Sequence, residues 1–243
     1  MGATSLAFKV YLILGFELVV LYGCTFFIIQ QCKKAFYANK TFLGIALAEA
    51  VNPNRQTDIC IVKNEATTLL FFWLMLFSII SIWTATAFII FSSSWIQFFF
   101  MTFSAIGYGS LVGFIIMDMD ENDGMVGLKA ATLSTAAMFI IVSVSGINFV
   151  NIIFVSTIIF LILGLIIWEL IALVTGISRG ATKAKAVLGI VTFSLSLLAS
   201  ITRVNVSSEE GLNDWNTAID LAFGMFIDII NLILYYLELM DSY

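Results

Sequence analysis

The chain has 243 residues, of which 61% are hydrophobic and 11% charged, with a mean hydropathy of +1.06 and a net charge of −5. A soluble domain carries about 45–50% apolar and about 25% charged residues, so this chain lacks the polar side chains to cover a water-exposed globule of its size. With no basic tract, nucleic acid is also excluded as a partner, and the lipid bilayer remains as the solvent.

In lipid every backbone polar group needs an internal partner, which restricts spanning structure to helices or a closed barrel. A barrel would read as alternating segments of about ten residues. Here the apolar runs are near-continuous and about the ~20 residues that a spanning helix requires. The expected fold is therefore all-α, a seven-transmembrane-helix bundle forming a single membrane domain over residues 1–243.

The first span is Phe8–Ile29, interrupted by Glu17. It is too long for the apolar core of a signal peptide and lacks a small-residue cleavage site, so it reads as a helix. A polar stretch, Gln30–Thr67, holds Lys33, Lys34, Lys40, Arg55, Asp58, Lys63 and Glu65, and also the only proline, Pro53. Within it Ala35–Val51 reads either as an interfacial amphipathic helix or as a plain solvated loop. The second span is Thr68–Phe91, followed by Ser92-Ser93-Ser94 and the third, Trp95–Met117. An acidic loop is expected over Asp118–Gly127, then a fourth span, Leu128–Ser145. A Gly146-Ile147-Asn148 turn opens the fifth, Phe149–Val174; the sixth is about Ala184–Ile201 and the seventh Ile219–Met240. No span carries a proline kink.

Chemistry is limited by what is missing. The chain has no histidine and three cysteines, Cys24, Cys32 and Cys60, with no CxxC among them. Histidine-based acid–base catalysis and His-containing zinc sites are excluded, and the odd cysteine count suggests no disulfide framework. The acidic run from Asp118 fails as a calcium loop, because Asp123 and Lys129 stand where an EF-hand needs glycine and glutamate. It reads as a solvated loop or as a cation-attracting mouth. A retinal protein would need a lysine in the last span, a rhomboid-type protease a histidine, and an aspartyl intramembrane protease two facing aspartates; none of these patterns is met. The chain reads as a non-enzyme without a cofactor or a resident metal.

Ionisable residues inside spans point to function, because each costs about 2.5–3.5 kcal/mol at a helix centre. Asp228 lies near the middle of the last span with Asn231 on the same face, and Glu17 near the middle of the first. Glu169, close to a helix end, can snorkel to the interface. Gly109 and Gly113 form a GxxxG whose small residues permit close helix packing, inside the bundle or, as the alternative, in a dimer.

Ala222–Leu237, AFGMFIDIINLILYYL, resembles the final helix of the transmembrane Bax-inhibitor-motif family, with Asp228 and Asn231 at its two polar positions. Val187–Val204, VLGIVTFSLSLLASITRV, resembles the preceding helix through Gly189, Phe193 and Ser194. Leu128–Gly146 and the glycine-containing third span are similar more loosely, and Gln30–Thr67 does not take part. The resemblance implies a seven-helix bundle with a central last helix and a calcium-leak activity. It also implies a pair of aspartates, one on each of the last two helices, sharing a proton and gating the pore with pH. The register set by Gly189 puts the first of them at residue 200, where this chain has Ser200. The ion-path or gating candidates are therefore Asp228, Asn231, Ser200 and Glu17, with calcium as the possible ion.

Two functions follow: a calcium-permeable leak channel with altered or lost di-aspartate gating, or a non-conducting scaffold or regulatory subunit bound to a membrane protein partner. Either would be a multi-pass protein of a bacterial plasma membrane or an organelle membrane. Basic residues suggest the orientation: nine fall on the side of Lys183 and Lys185 and two, Lys9 and Arg203, on the other. The positive-inside rule then faces Lys183 and Lys185 to the cytoplasm or matrix.

Overall fold

The computed structural model describes residues 5–50, 58–61, 93–119, 121–145, 149–175 and 179–241. These form six helices and one two-stranded hairpin: α1 (Leu6–Tyr37), β1 (Leu47–Ala50), β2 (Asp58–Ile61), α2 (Ser94–Met119), α3 (Glu121–Ser145), α4 (Ile152–Thr175), α5 (Arg179–Glu209) and α6 (Trp215–Met240). Five helices, all but α4, are long and apolar enough to cross a membrane, and α4 contributes a shorter apolar stretch, Ile152–Trp168. The second span of the sequence reading, Thr68–Phe91, and the turn at residues 146–148 lie outside the described residues.

Two compact units make up the chain, residues 1–14 with 127–243, and residues 15–126. In the second, α1 and α2 run parallel, as successive contacts show: Phe16 meets Phe98 at 5.6 Å between ring centroids, and Thr25 meets Gly109 further along both helices. The start of α2 is thus level with the first half of α1. Gly109 and Gly113 make this approach possible. A Cβ at Gly109 would strike the Leu21 carbonyl oxygen, and one at Gly113 would come within 2.8 Å of Ile28 Cβ. Thr25 uses the close contact, its buried hydroxyl lying 2.9 Å from the Gly109 carbonyl oxygen and 3.0 Å from that of Leu21.

Two sequence expectations are corrected here. Ala35–Val51 is neither an interfacial helix nor a plain loop. α1 continues to Tyr37, and β1 then pairs antiparallel with β2, Leu47 opposite Ile61 and Ala50 opposite Asp58. The apolar spacing taken for a helical period belongs partly to a strand, where alternate residues share a face. Ile59 and Ile61 are buried with Ile45, β2 lies against α2, and Phe42 stacks on Phe114 at 6.1 Å.

Asp118–Gly127 is not a loop either. α2 runs through Met119 and α3 starts at Glu121. Acidic side chains in the first turn of a helix, here Glu121 and Asp123, face the positive end of its dipole and favour it. Gly124 allows α3 to lie against Ile116, and Lys33 at the end of α1 reaches Glu121 at 2.6 Å. Charge in the sequence did not mark the loss of helix.

In the first unit α5 and α6 form an antiparallel hairpin. Tyr235 lies directly over Gly189 and stacks on Phe193 at 5.7 Å, while Lys185 pairs with Glu238 at 2.5 Å at the hairpin's open end. α5 is longer at both ends than its apolar core suggested, because hydropathy reports the lipid boundary and a helix can continue into the aqueous interface. It ends where Gly211 takes φ +82° and the Leu212 N–H returns to the Ser207 carbonyl oxygen, a left-handed stop that favours glycine. Asp214 then caps α6, accepting the Thr217 N–H at 2.8 Å and the Thr217 hydroxyl at 2.7 Å. α6 buries residues on more than one face, Ala218, Ala222, Met225 and Ile229 along one and Phe226, Ile230, Ile233 and Leu237 along another. α4, in contrast, leaves Ile152, Ile153 and Phe160 more than 75% exposed, as a lipid-facing helix does.

Replacing Gly109 with Val is expected to lower stability by about 1–3 kcal/mol through overpacking. Gly23→Ala, on the same α1–α2 unit but with open space around it, should leave the thermal midpoint in detergent unchanged or raised. Equal effects would disprove the close packing. Asp214→Ala should cost about 0.5–2 kcal/mol as the loss of a cap. The Thr217 N–H holds the Asp214 carboxyl below its usual pKa, so its contribution is present at neutral pH and lost as pH falls through that lowered value. The difference between parent and Asp214→Ala should therefore disappear in acid, as read by unfolding at a series of pH values.

Candidate functional site

The α5–α6 hairpin brings two of the sequence candidates together. Asp228 projects from the middle of α6 and is 6% exposed. The Ser200 hydroxyl, on the facing turn of α5, donates to Asp228 Oδ2 at 2.8 Å. Ser196, one turn earlier on α5, adds a second hydroxyl interaction with the same carboxyl. Thr192 precedes these two at the same four-residue spacing, its hydroxyl turned back to the Leu188 carbonyl oxygen at 2.8 Å. Residues four apart share a helix face, so these three hydroxyls make a short polar stripe along α5.

Asn231 does not join Asp228 in this arrangement. Its amide nitrogen donates to the Ile227 carbonyl oxygen of its own helix at 2.9 Å. The far end of α6 is held by polar contacts of a different kind, Lys185 with Glu238 and, to α3, Ser134 with Tyr236 at 2.5 Å. At the other end of the hairpin, Lys9 gives its ammonium to the Asn213 carbonyl oxygen at 2.6 Å and sits over the Trp215 ring.

Glu17 belongs to the other unit. It is fully buried on α1, with Thr102 Oγ of α2 2.7 Å from Oε1 and with Oε2 lacking a partner among the described residues. Gln97, also on α2, is the second residue of that unit with a buried unpartnered side-chain oxygen. Gly109 and Gly113 lie in the α1–α2 contact and carry no chemistry of their own. The Glu169 side chain lies outside the described residues.

Ser196, Thr102 and Gln97 were not singled out from the sequence. The regular spacing of Thr192, Ser196 and Ser200 was readable there. Thr102 had no such signal, since its partner is 85 residues away. Among the described residues no group of three Cys, Asp or Glu is placed to hold a metal ion. Chemically, the middle of the hairpin offers one carboxyl, Asp228, set among hydroxyls. Such a site can bind a proton or contribute one ligand to a passing cation. No protein-family model matches the chain, and comparison with curated proteins finds no match.

Ser200→Ala removes a donor and leaves Asp228 Oδ2 buried without it, which is expected to cost about 1–3 kcal/mol. In Asp228→Asn the same serine change should cost markedly less, so a double-mutant cycle by thermal unfolding should return a coupling energy. Additive effects would show that the hydroxyl and the carboxyl do not interact.

Proposed function

We propose that the chain is a seven-span, cation-permeable leak channel of the Bax-inhibitor-motif type, with calcium as the ion and Asp228 as its gating carboxyl. The observation that carries this reading is a buried acid in the middle of the last helix, met by Ser200 at the register where the family resemblance expects a second aspartate. A carboxyl group in the centre of a spanning helix is costly, and such residues usually line ion or proton pathways. The stacking of Tyr235 over Gly189 supports the same helix register. The start of α2 beside the first half of α1, together with the apolar run Thr68–Phe91, supports a further span between them.

The replacement of an aspartate by serine changes the gate. Two facing carboxylates titrate as a coupled pair, whereas one carboxyl with a hydroxyl partner titrates alone. The leak should therefore depend on pH less steeply than in a di-aspartate channel. The same replacement favours the second reading, a non-conducting scaffold or regulatory subunit for a membrane protein partner.

Calcium flux into proteoliposomes distinguishes the two. Asp228→Asn keeps the size of the side chain and lowers the cost of burial, so on the channel reading it should alter flux far more than it alters folding yield. Ser200→Asp should steepen the dependence of flux on pH. A parent without flux would favour the scaffold, and equal flux from parent and Asp228→Asn would remove Asp228 from the mechanism. Labelling of a cysteine at position 183 by an impermeant maleimide, in a variant lacking Cys24, Cys32 and Cys60, tests the orientation; labelling from outside intact cells would reverse it.

A further inference from the structure

Glu17 belongs to a different unit from the α5–α6 hairpin, and its surroundings are unlike those of an ionised carboxylate. The side chain is fully buried, and its only hydrogen-bond partner among the described residues is Thr102. Thr102 Oγ lies 2.7 Å from Glu17 Oε1 and 3.1 Å from the Phe98 carbonyl oxygen. A threonine hydroxyl has one hydrogen to give, so an ionised Glu17 would at best share it with the Phe98 carbonyl oxygen in a three-centre bond. The three oxygens would then hold one hydrogen between them, leaving a buried carboxylate with less than one full hydrogen bond for its two oxygens.

The geometry points to Glu17 as a proton-binding site, a neutral carboxylic acid that donates to Thr102 Oγ while the Thr102 hydroxyl donates to the Phe98 carbonyl oxygen. Every hydrogen in this chain then has one acceptor. The remaining oxygen, Oε2, is a neutral carbonyl, which is far less costly to leave unpartnered than half of a buried charge. No counter-charge competes with the proton among the described residues. α2 carries one charged residue, Asp118, sixteen residues past Thr102 or about 24 Å along the helix. On α1 the nearest is Lys9, about 12 Å away and engaged with Asn213 and Trp215. Release of the proton would put a charge into the α1–α2 contact held closed by Gly109 and Gly113, so proton binding and helix packing are coupled.

Infrared spectra of the full chain in lipid nanodiscs at neutral pH test the site. The parent should show the carbonyl stretch of a protonated carboxylic acid that Glu17→Gln removes and Asp228→Asn leaves in place. Thr102→Val should retain the band and move it to higher frequency, because the acid loses its acceptor. Loss of a carboxylate stretch in Glu17→Gln, with no change in the acid carbonyl region, would overturn the proposal. Should Glu17→Gln not fold, Thr102→Val decides: a shifted acid band supports the site, and an unshifted spectrum rejects it.

Discussion

Ser200 donating to Asp228 across the α5–α6 hairpin is the contact on which the first unit depends. In an apolar surrounding the carboxyl cannot turn to water, and an acceptor-only group on α6 has to find its donors on the neighbouring helix. That requirement fixes the rotation of α6 against α5. It puts Tyr235 over Gly189 and Phe193, and it brings Lys185 to Glu238 where the helices leave the apolar zone. A rotation of either helix would strand the carboxyl and separate the ring stack together.

The second unit meets the same constraint differently. Glycines at 109 and 113 bring α1 and α2 close enough for the Thr25 hydroxyl to reach a carbonyl oxygen of the other helix. Apolar side chains gain little by leaving lipid for one another, and close packing and hydrogen bonds across small residues carry much of helix association. Glu17 and Thr102 lie on the same contact. A buried acid and a tight glycine seam on one interface tie protonation to packing.

The two acids differ in what surrounds them. Asp228 has hydroxyls from two turns of α5. Glu17 has a single hydroxyl beside it, that of Thr102, whose oxygen also lies 3.1 Å from a backbone carbonyl oxygen. One arrangement offers the carboxyl alternative partners along α5, and the other suits a proton held in place.

Composition and the length of the apolar runs were enough to determine the solvent, the helical fold class and the positions of Glu17, Asp228 and the GxxxG pair, because each depends on residue identity and local spacing. Contacts between residues 28 or 85 positions apart depend on helix rotation and neighbour choice, which local pattern does not contain. Ser200 was found through the register of a resemblance, whereas Thr102 had no mark at all. Element ends were also outside the reach of hydropathy, which measures transfer into lipid. α5 continues past its apolar core to Glu209, α3 begins on acidic residues that suit its dipole, and β1 and β2 form where Ile45, Ile59 and Ile61 find a buried surface against α2. The residue types alone placed the costly groups in the membrane; only the packing of helices decided which partner each would have.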